Sequence, residues 1–307
     1  MPASAPARSA RRPLDPTALA RQQRRLLTAA EPPWLHGEVA RRMAERLPVI
    51  KLQPQCVVDW GAFVGASQAV LAAACPRAQC IAVEPDAARR DATAALLQPA
   101  WWSARRWHRA PQAMLSGALP AGAAQLVWSN MGLQGEIDPQ RTMAAWHRVL
   151  VIDGFLMFST LGPGTLTTLQ ALYTQAGWPP PMAPLVDMHD LGDMLIEAGF
   201  ADPVMDQETV TLTWPSPQAL LAELRQLGGN VDPRRAAGLR TPRWREQLHT
   251  RLQRLAPGNG PDSRIGLPFE IVYGHAFRPP PRPRLTARTE VPLEDLRAMA
   301  RRTPPRG

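Results

Sequence analysis

No run of apolar residues in this chain approaches the roughly 18 needed to cross a bilayer, which removes the integral-membrane classes first. The opening MPASAPARSARRPLDP lacks the apolar stretch of a secretory signal, so the expectation is a cytoplasmic protein. Cysteine is scarce. Cys56, Cys75 and Cys80 form an odd set without metal-ligand spacing, which argues against a disulfide framework or a metal site and leaves three small hydrophobes. Lysine is nearly missing: Lys51 is the only one, so the formal charge of +9 comes almost wholly from arginine. Aromatics are 6% of residues, and no stripe interleaves them with basic side chains, so nucleic acid is not an expected partner. An acidic protein fits the sign of the charge, although arginine is densest at the two Pro-rich ends, where it solvates tails.

What is present suffices for one α/β domain. With 307 residues, 45% hydrophobic, the chain can bury a full core and carry an insertion. Residues 1–16 read as a disordered N-terminal segment, 17–278 as the domain with a helical insertion at about 216–260, and 279–307 as a Pro/Arg-rich tail. Leu35, Val39, Met43 and Leu47 recur every four residues, predicting an amphipathic helix within about 16–47 that can cover a ligand mouth. Strand and helix patterns then alternate from QCVVDW through AQLVWSN to FLMFSTL, the signature of a parallel sheet with helices on both faces. Two further helices closed by glycine, a strand ending in VTLTW, helices near 217–227 and 242–255 and a last strand FEIVYGHAF complete the order.

The segment Val57-Val58-Asp59-Trp60-Gly61-Ala62-Phe63-Val64-Gly65 is an apolar strand running into a glycine turn that opens a helix, the place where a doubly wound sheet holds a nucleotide-like cofactor. Glu84 closes the second strand 23 positions beyond Gly61, where a carboxylate accepts from ribose hydroxyls. Phe63 stands where a dinucleotide fingerprint needs its middle glycine, and backbone amides so blocked cradle a pyrophosphate poorly. Nicotinamide and flavin are therefore disfavoured. S-adenosylmethionine carries an adenosine ribose without phosphate and tolerates the loss better. A glycine turn that binds nothing remains the alternative.

These pieces resemble the class I S-adenosylmethionine-dependent methyltransferases, and within them the malonyl-acyl-carrier-protein O-methyltransferases of early biotin synthesis. The resemblance spans roughly 17–278 and is carried by WLHGEVARRMAERL, LVWSNMGLQ, MAAWHRVLVIDGFLMFSTLGPGTL, LRQLGGNVDPRRAAGLRTPRWREQL and FEIVYGHAF. It implies a Rossmann-like sheet, mostly parallel with an antiparallel last strand. It implies methyl transfer to the free carboxylate of a malonyl group on acyl carrier protein, or on coenzyme A. Asp59, Gly61, Gly65, Glu84 and Asn130 are the expected cofactor residues. Asn130, Gln134 and Thr160, at strand ends, are expected to face the methyl group, and Arg225 to fork onto the carboxylate or thioester end. Arg234, Arg235, Arg240, Arg243 and Arg245 can meet an acidic carrier. His275 and Tyr273, on one face of the last strand, and Trp101 and Trp102 read as packing. The chain departs from the pattern at Phe63, at Gly135 where Trp is common, at Pro111 where an acid is common, and in lacking a Tyr-Asp pair near Glu31 and Pro32. Two alternatives follow from those departures: a binding or regulatory protein that keeps the fold without catalysis, and a methyltransferase with another small acceptor.

Overall fold

The computed structural model describes residues 11–29, 32–97, 112–258 and 263–281. Pro111, Trp101, Trp102 and Glu31 lie outside them, as does most of the C-terminal tail. The predicted N-terminal helix is two helices, α1 (Pro16–Leu27) and α2 (Trp34–Ala44), because Pro32 and Pro33 cannot continue a ladder of backbone hydrogen bonds. The four-residue repeat is confined to α2, where Leu35, Val39 and Met43 are all buried.

The chain then runs β1 (Cys56–Trp60), α3 (Ala62–Gly65), α4 (Gln68–Ala74), β2 (Gln79–Glu84), α5 (Ala87–Leu97), β3 (Gln112–Leu115), β4 (Ala124–Ser129), α6 (Pro139–Val149) and β5 (Leu150–Leu161). It continues through α7 (Thr167–Gln175), α8 (Met188–Glu197), β6 (Ala201–Trp214), α9 (Pro217–Gln226), α10 (Pro242–Gln253) and β7 (Ile265–Phe277). Four helix starts repeat one local device. Asp15, Asp138, Ser216 and Thr241 each accept a backbone N–H of the first turn, and each is followed by proline, whose fixed φ and missing N–H suit the first helical position.

The seven strands lie in the order β3-β2-β1-β4-β5-β7-β6. β1 to β5 pair in parallel, and β7 enters antiparallel between β5 and β6. Successive residues of a strand serve opposite faces: Val57 and Leu126 join the core under α2, whereas Val58 and Val127 join the core under α6 and α8. Burying both faces explains why these strands read as continuous apolar runs. The cysteines stay free and half-buried. Tyr273 sits in the core with its hydroxyl donating to Glu208 at 2.6 Å. Among the described residues no helix is long and apolar enough to cross a membrane, and no cluster of His, Cys, Asp and Glu is arranged to hold a metal.

Candidate active site

β1 ends at Trp60, and Gly61 takes φ +74°, a left-handed turn that glycine enters without steric cost. Its N–H donates to the carbonyl of Val83 at 2.8 Å, which pins the turn to the tip of β2. Two residues on, the Phe63 N–H donates to Glu84 Oε1 at 2.6 Å, and the Thr93 hydroxyl donates to the same oxygen at 2.8 Å. Glu84 is fully buried and its other oxygen, Oε2, has no hydrogen-bond partner among the described residues. Asp59 is buried beside it, with Oδ1 equally unpartnered. Burial, then the neighbouring Glu84, pushes the Asp59 carboxyl up to about 8; burial raises Glu84 as well. Two strand tips therefore hold carboxyl oxygens that lack hydrogen-bond donors. Buried acceptors are normally satisfied, so this is the pattern of a site built for a ligand with hydroxyl or cationic groups.

Over these tips α1 lies as a lid. Leu19, Gln22, Gln23 and Leu26 of α1, the turn Trp60–Val64, His36 of α2 and the loop Met131–Glu136 after β4 enclose a cavity of about 80 Å³. A second, nearly apolar cavity of about 250 Å³ opens beside it between Leu26, Pro32, Pro33 and α5, and Phe63 and Val64 border both. Leu26 and Leu27 of α1 are shared by the two linings as well. The smaller space holds a few waters, below the roughly 300 Å³ of usual cofactor pockets. The donor chemistry of S-adenosylmethionine matches the orphaned oxygens; its size requires that α1 lift or the Phe63 ring turn.

His36 escaped the sequence reading. Its Nδ1 lies 2.7 Å from the carbonyl of Val64, which can only accept, so Nδ1 carries the hydrogen. Burial pulls the ring down to about 4, leaving a neutral imidazole on the cavity wall. Glu136 and Arg89 also border the cavity unforeseen. A lone histidine off the apolar stripe of a helix gave the only signal.

The expected residues divide into three groups. Gly61 and Gln134 line the cavity, with Gln134 Nε2 donating to the Met131 carbonyl at 2.7 Å and its Oε1 accepting from Thr160 at 3.1 Å. Asp59, Glu84, Gly65, Asn130 and Thr160 are buried and are not among its lining residues. Asn130 is fully buried: its amide nitrogen donates to the carbonyls of His36 (2.7 Å) and Gly65, and its oxygen accepts from the Ser159 hydroxyl at 2.7 Å. With its side-chain donors and acceptor engaged, it clamps α2 and the glycine turn to β4 and β5. Thr160 is likewise a support for Gln134. Arg225 is exposed in a different groove and does not reach the strand tips.

The described residues ahead of α1 are tied to the rest of the site. Arg12 is buried, with its backbone N–H on the Ile137 carbonyl at 2.8 Å and its guanidinium on the carbonyls of Gln134 and Pro184. Asp15 pairs with Arg235 at 2.6 Å, and its N–H reaches the Val231 carbonyl. These ties hold α1 down.

A sheet in this order with an antiparallel seventh strand, a glycine turn after β1 and an acid at the tip of β2, defines the class I S-adenosylmethionine-dependent methyltransferases. The same fold is seen in the YcgJ protein of Bacillus subtilis, which superposes with a TM-score of 0.51 at 12% identity over 78% of this chain and 98% of that one. No protein-family model matches the chain. Among curated proteins, the malonyl-acyl-carrier-protein O-methyltransferase of Laribacter hongkongensis is 35% identical over 255 residues, covering 81% of this chain and 84% of the relative. That of Gallionella capsiferriformans is 37% identical over 253 residues, covering 81% and 85%. The chain belongs to the malonyl-acyl-carrier-protein O-methyltransferase family.

Proposed function

We propose that this protein moves the methyl group of S-adenosylmethionine onto the free carboxylate of a malonyl thioester carried by acyl carrier protein. The observation that carries the reading is the pair of unpartnered carboxyl oxygens, Glu84 Oε2 and Asp59 Oδ1, under a lidded cavity at the strand tips. When bound, the cofactor supplies an electrophilic methyl on a sulfonium. A malonyl carboxylate is ionised at neutral pH, so its oxygen needs no proton removed and the protein needs no general base. What the residues contribute is placement. Glu84 Oε2 accepts from a ribose hydroxyl, and Asp59 offers negative charge to a cationic group. Gln134, held by Met131 and Thr160, sets the floor. Neutral His36 leaves the cavity without an added cation. α1 excludes water, so the acceptor oxygen and methyl meet in line in a dry space, a proximity and desolvation effect.

The product chemistry fits the role in biotin synthesis. Esterification removes a charge whose burial in an apolar elongation pocket would be costly, so the neutral end can pass where a carboxylate cannot.

Calorimetric titration with S-adenosylmethionine followed by transfer from labelled cofactor tests the proposal. The expected result is saturable binding and labelling of malonyl-acyl carrier protein in preference to the succinyl thioester. Absence of heat up to millimolar cofactor would instead favour a binding protein that retains the fold. Equal labelling of both thioesters would favour another acceptor.

A further inference from the structure

The five arginines that the sequence places around the insertion are not equivalent. Arg234 pairs with the buried Asp232 at 2.9 Å while its own side chain stays largely exposed, Arg235 is half-buried on Asp15, and Arg243 is exposed outside the groove described next, so the two paired arginines have their charge answered within the chain. Arg240 and Arg245 remain exposed, as does Arg225, and none of the three has an acidic side chain within ion-pair distance among the described residues. All three border one groove of about 880 Å³ between α7, α9 and α10, with Glu246 the single acid in its lining. Its floor is apolar: Leu221 and Leu224 of α9, half-buried, lie opposite Trp244 of α10. Trp244 is fixed by stacking on Trp178 at 5.1 Å and carries the Arg240 guanidinium 4.4 Å from its ring. Next to Arg240 in the chain, Leu239 is wholly exposed, with none of the described residues covering it.

We propose that this groove receives an acidic amphipathic helix of the acyl carrier protein; the proposal rests on the acceptor assigned above. A helix is about 10–12 Å across, and an apolar stripe on a floor with carboxylates at an arginine rim is the usual form of helix-in-groove recognition. Three cations against one acid select a partner of opposite charge, and Leu239 supplies an apolar anchor beside them. The groove also lies where a carrier must lie. Gly229 and Asn230 line it while Leu227, two residues earlier, lines the strand-tip cavity, so one turn separates the docking face from the methyl site. A thioester arm has only that turn to pass.

The test compares native protein with the double variant Arg240→Glu/Arg245→Glu on two acceptors, malonyl-acyl carrier protein and malonyl-coenzyme A, and measures calorimetric binding of the carrier. The expected result is a KM for the carrier-bound substrate raised roughly tenfold or more, weaker salt dependence, and unchanged kinetics on malonyl-coenzyme A, which also shows that the variant is folded. Leu239→Asp should act in the same direction. Native kinetics of the double variant on the carrier overturn the docking site and leave the methylation reading standing. Carrier binding that the variant loses, in a native protein that methylates no malonyl thioester, supports the docking site and ends the methylation reading. A native dimer that the same substitutions dissociate, with carrier kinetics unaffected, assigns the groove to a second copy and overturns the proposal.

Discussion

Glu84 has two tasks for one carboxylate. Oε1 ties the Phe63 amide and Thr93 into the turn, and only Oε2 is left for a ligand. Phe63 thus enters the site twice, as a backbone donor that orients Glu84 and as a bulky side chain bordering both cavities. Phe63→Ala keeps the donor and removes that bulk, so the two cavities should merge and S-adenosylmethionine should bind several-fold more tightly by calorimetry. The loss of packing should lower unfolding stability by about 1–2 kcal/mol, read from the urea midpoint. Unchanged affinity would show that the ring already turns aside. The glycine turn and Glu84 were legible in the sequence because their spacing is local. The engagement of Asn130 was not, since its partners His36, Gly65 and Ser159 lie 94, 65 and 29 positions away. Which strand-end amide touches a ligand and which is a clamp depends on that long-range pairing.

Among the elements, α1 decides whether the site is open. Its N-cap Asp15 accepts from Thr17 and Ala18 and pairs with Arg235, and the Ala18 amide first, then Arg235, holds the carboxyl below its ordinary value of 3.8. A lowered carboxylate stabilises the helix above that ordinary value and ceases to do so as pH falls through the lower, folded one. Asp15→Ala should accordingly loosen residues 16–27 at neutral pH as acid does in the native chain. Amide exchange should rise in α1 and stay slow in the sheet; uniform protection would mean that Arg12 alone suffices as the latch. The sequence showed a helix able to cover the mouth but merged it with α2, because the periodic apolar positions belong to α2 while α1 buries only Ala18 and Leu19. Likewise the helices and strands of 201–277 could be read from pattern, whereas the entry of β7 between β5 and β6 could not. That pairing joins Phe155 to Phe277 across the length of the fold.

The protein as a whole carries two buried groups with opposite responses to pH. Asp59, ordinarily near 3.8, stands at about 8 in the fold, so the folded state holds a proton that the unfolded chain lacks, and stability falls as pH rises across that range. His36, ordinarily near 6.5, stands at about 4, so the unfolded chain holds the extra proton and stability falls as pH drops from 6.5 toward 4. Between those limits the slopes oppose each other. From 6.5 to 8 His36 no longer contributes, and Asp59 should cost the native protein up to about 1.4 kcal/mol per pH unit, so Asp59→Asn should show a flatter profile than native in urea titrations. A native profile as flat as the variant's would mean that Asp59 is already ionised in the fold. If the slope is present, the acid tips of β1 and β2 make the empty fold a proton reservoir. A sulfonium arriving there displaces hydrogen ions into solution, so its uptake heat should vary with the buffer's own ionisation enthalpy, and mildly alkaline conditions should favour loading even though they weaken the unliganded chain.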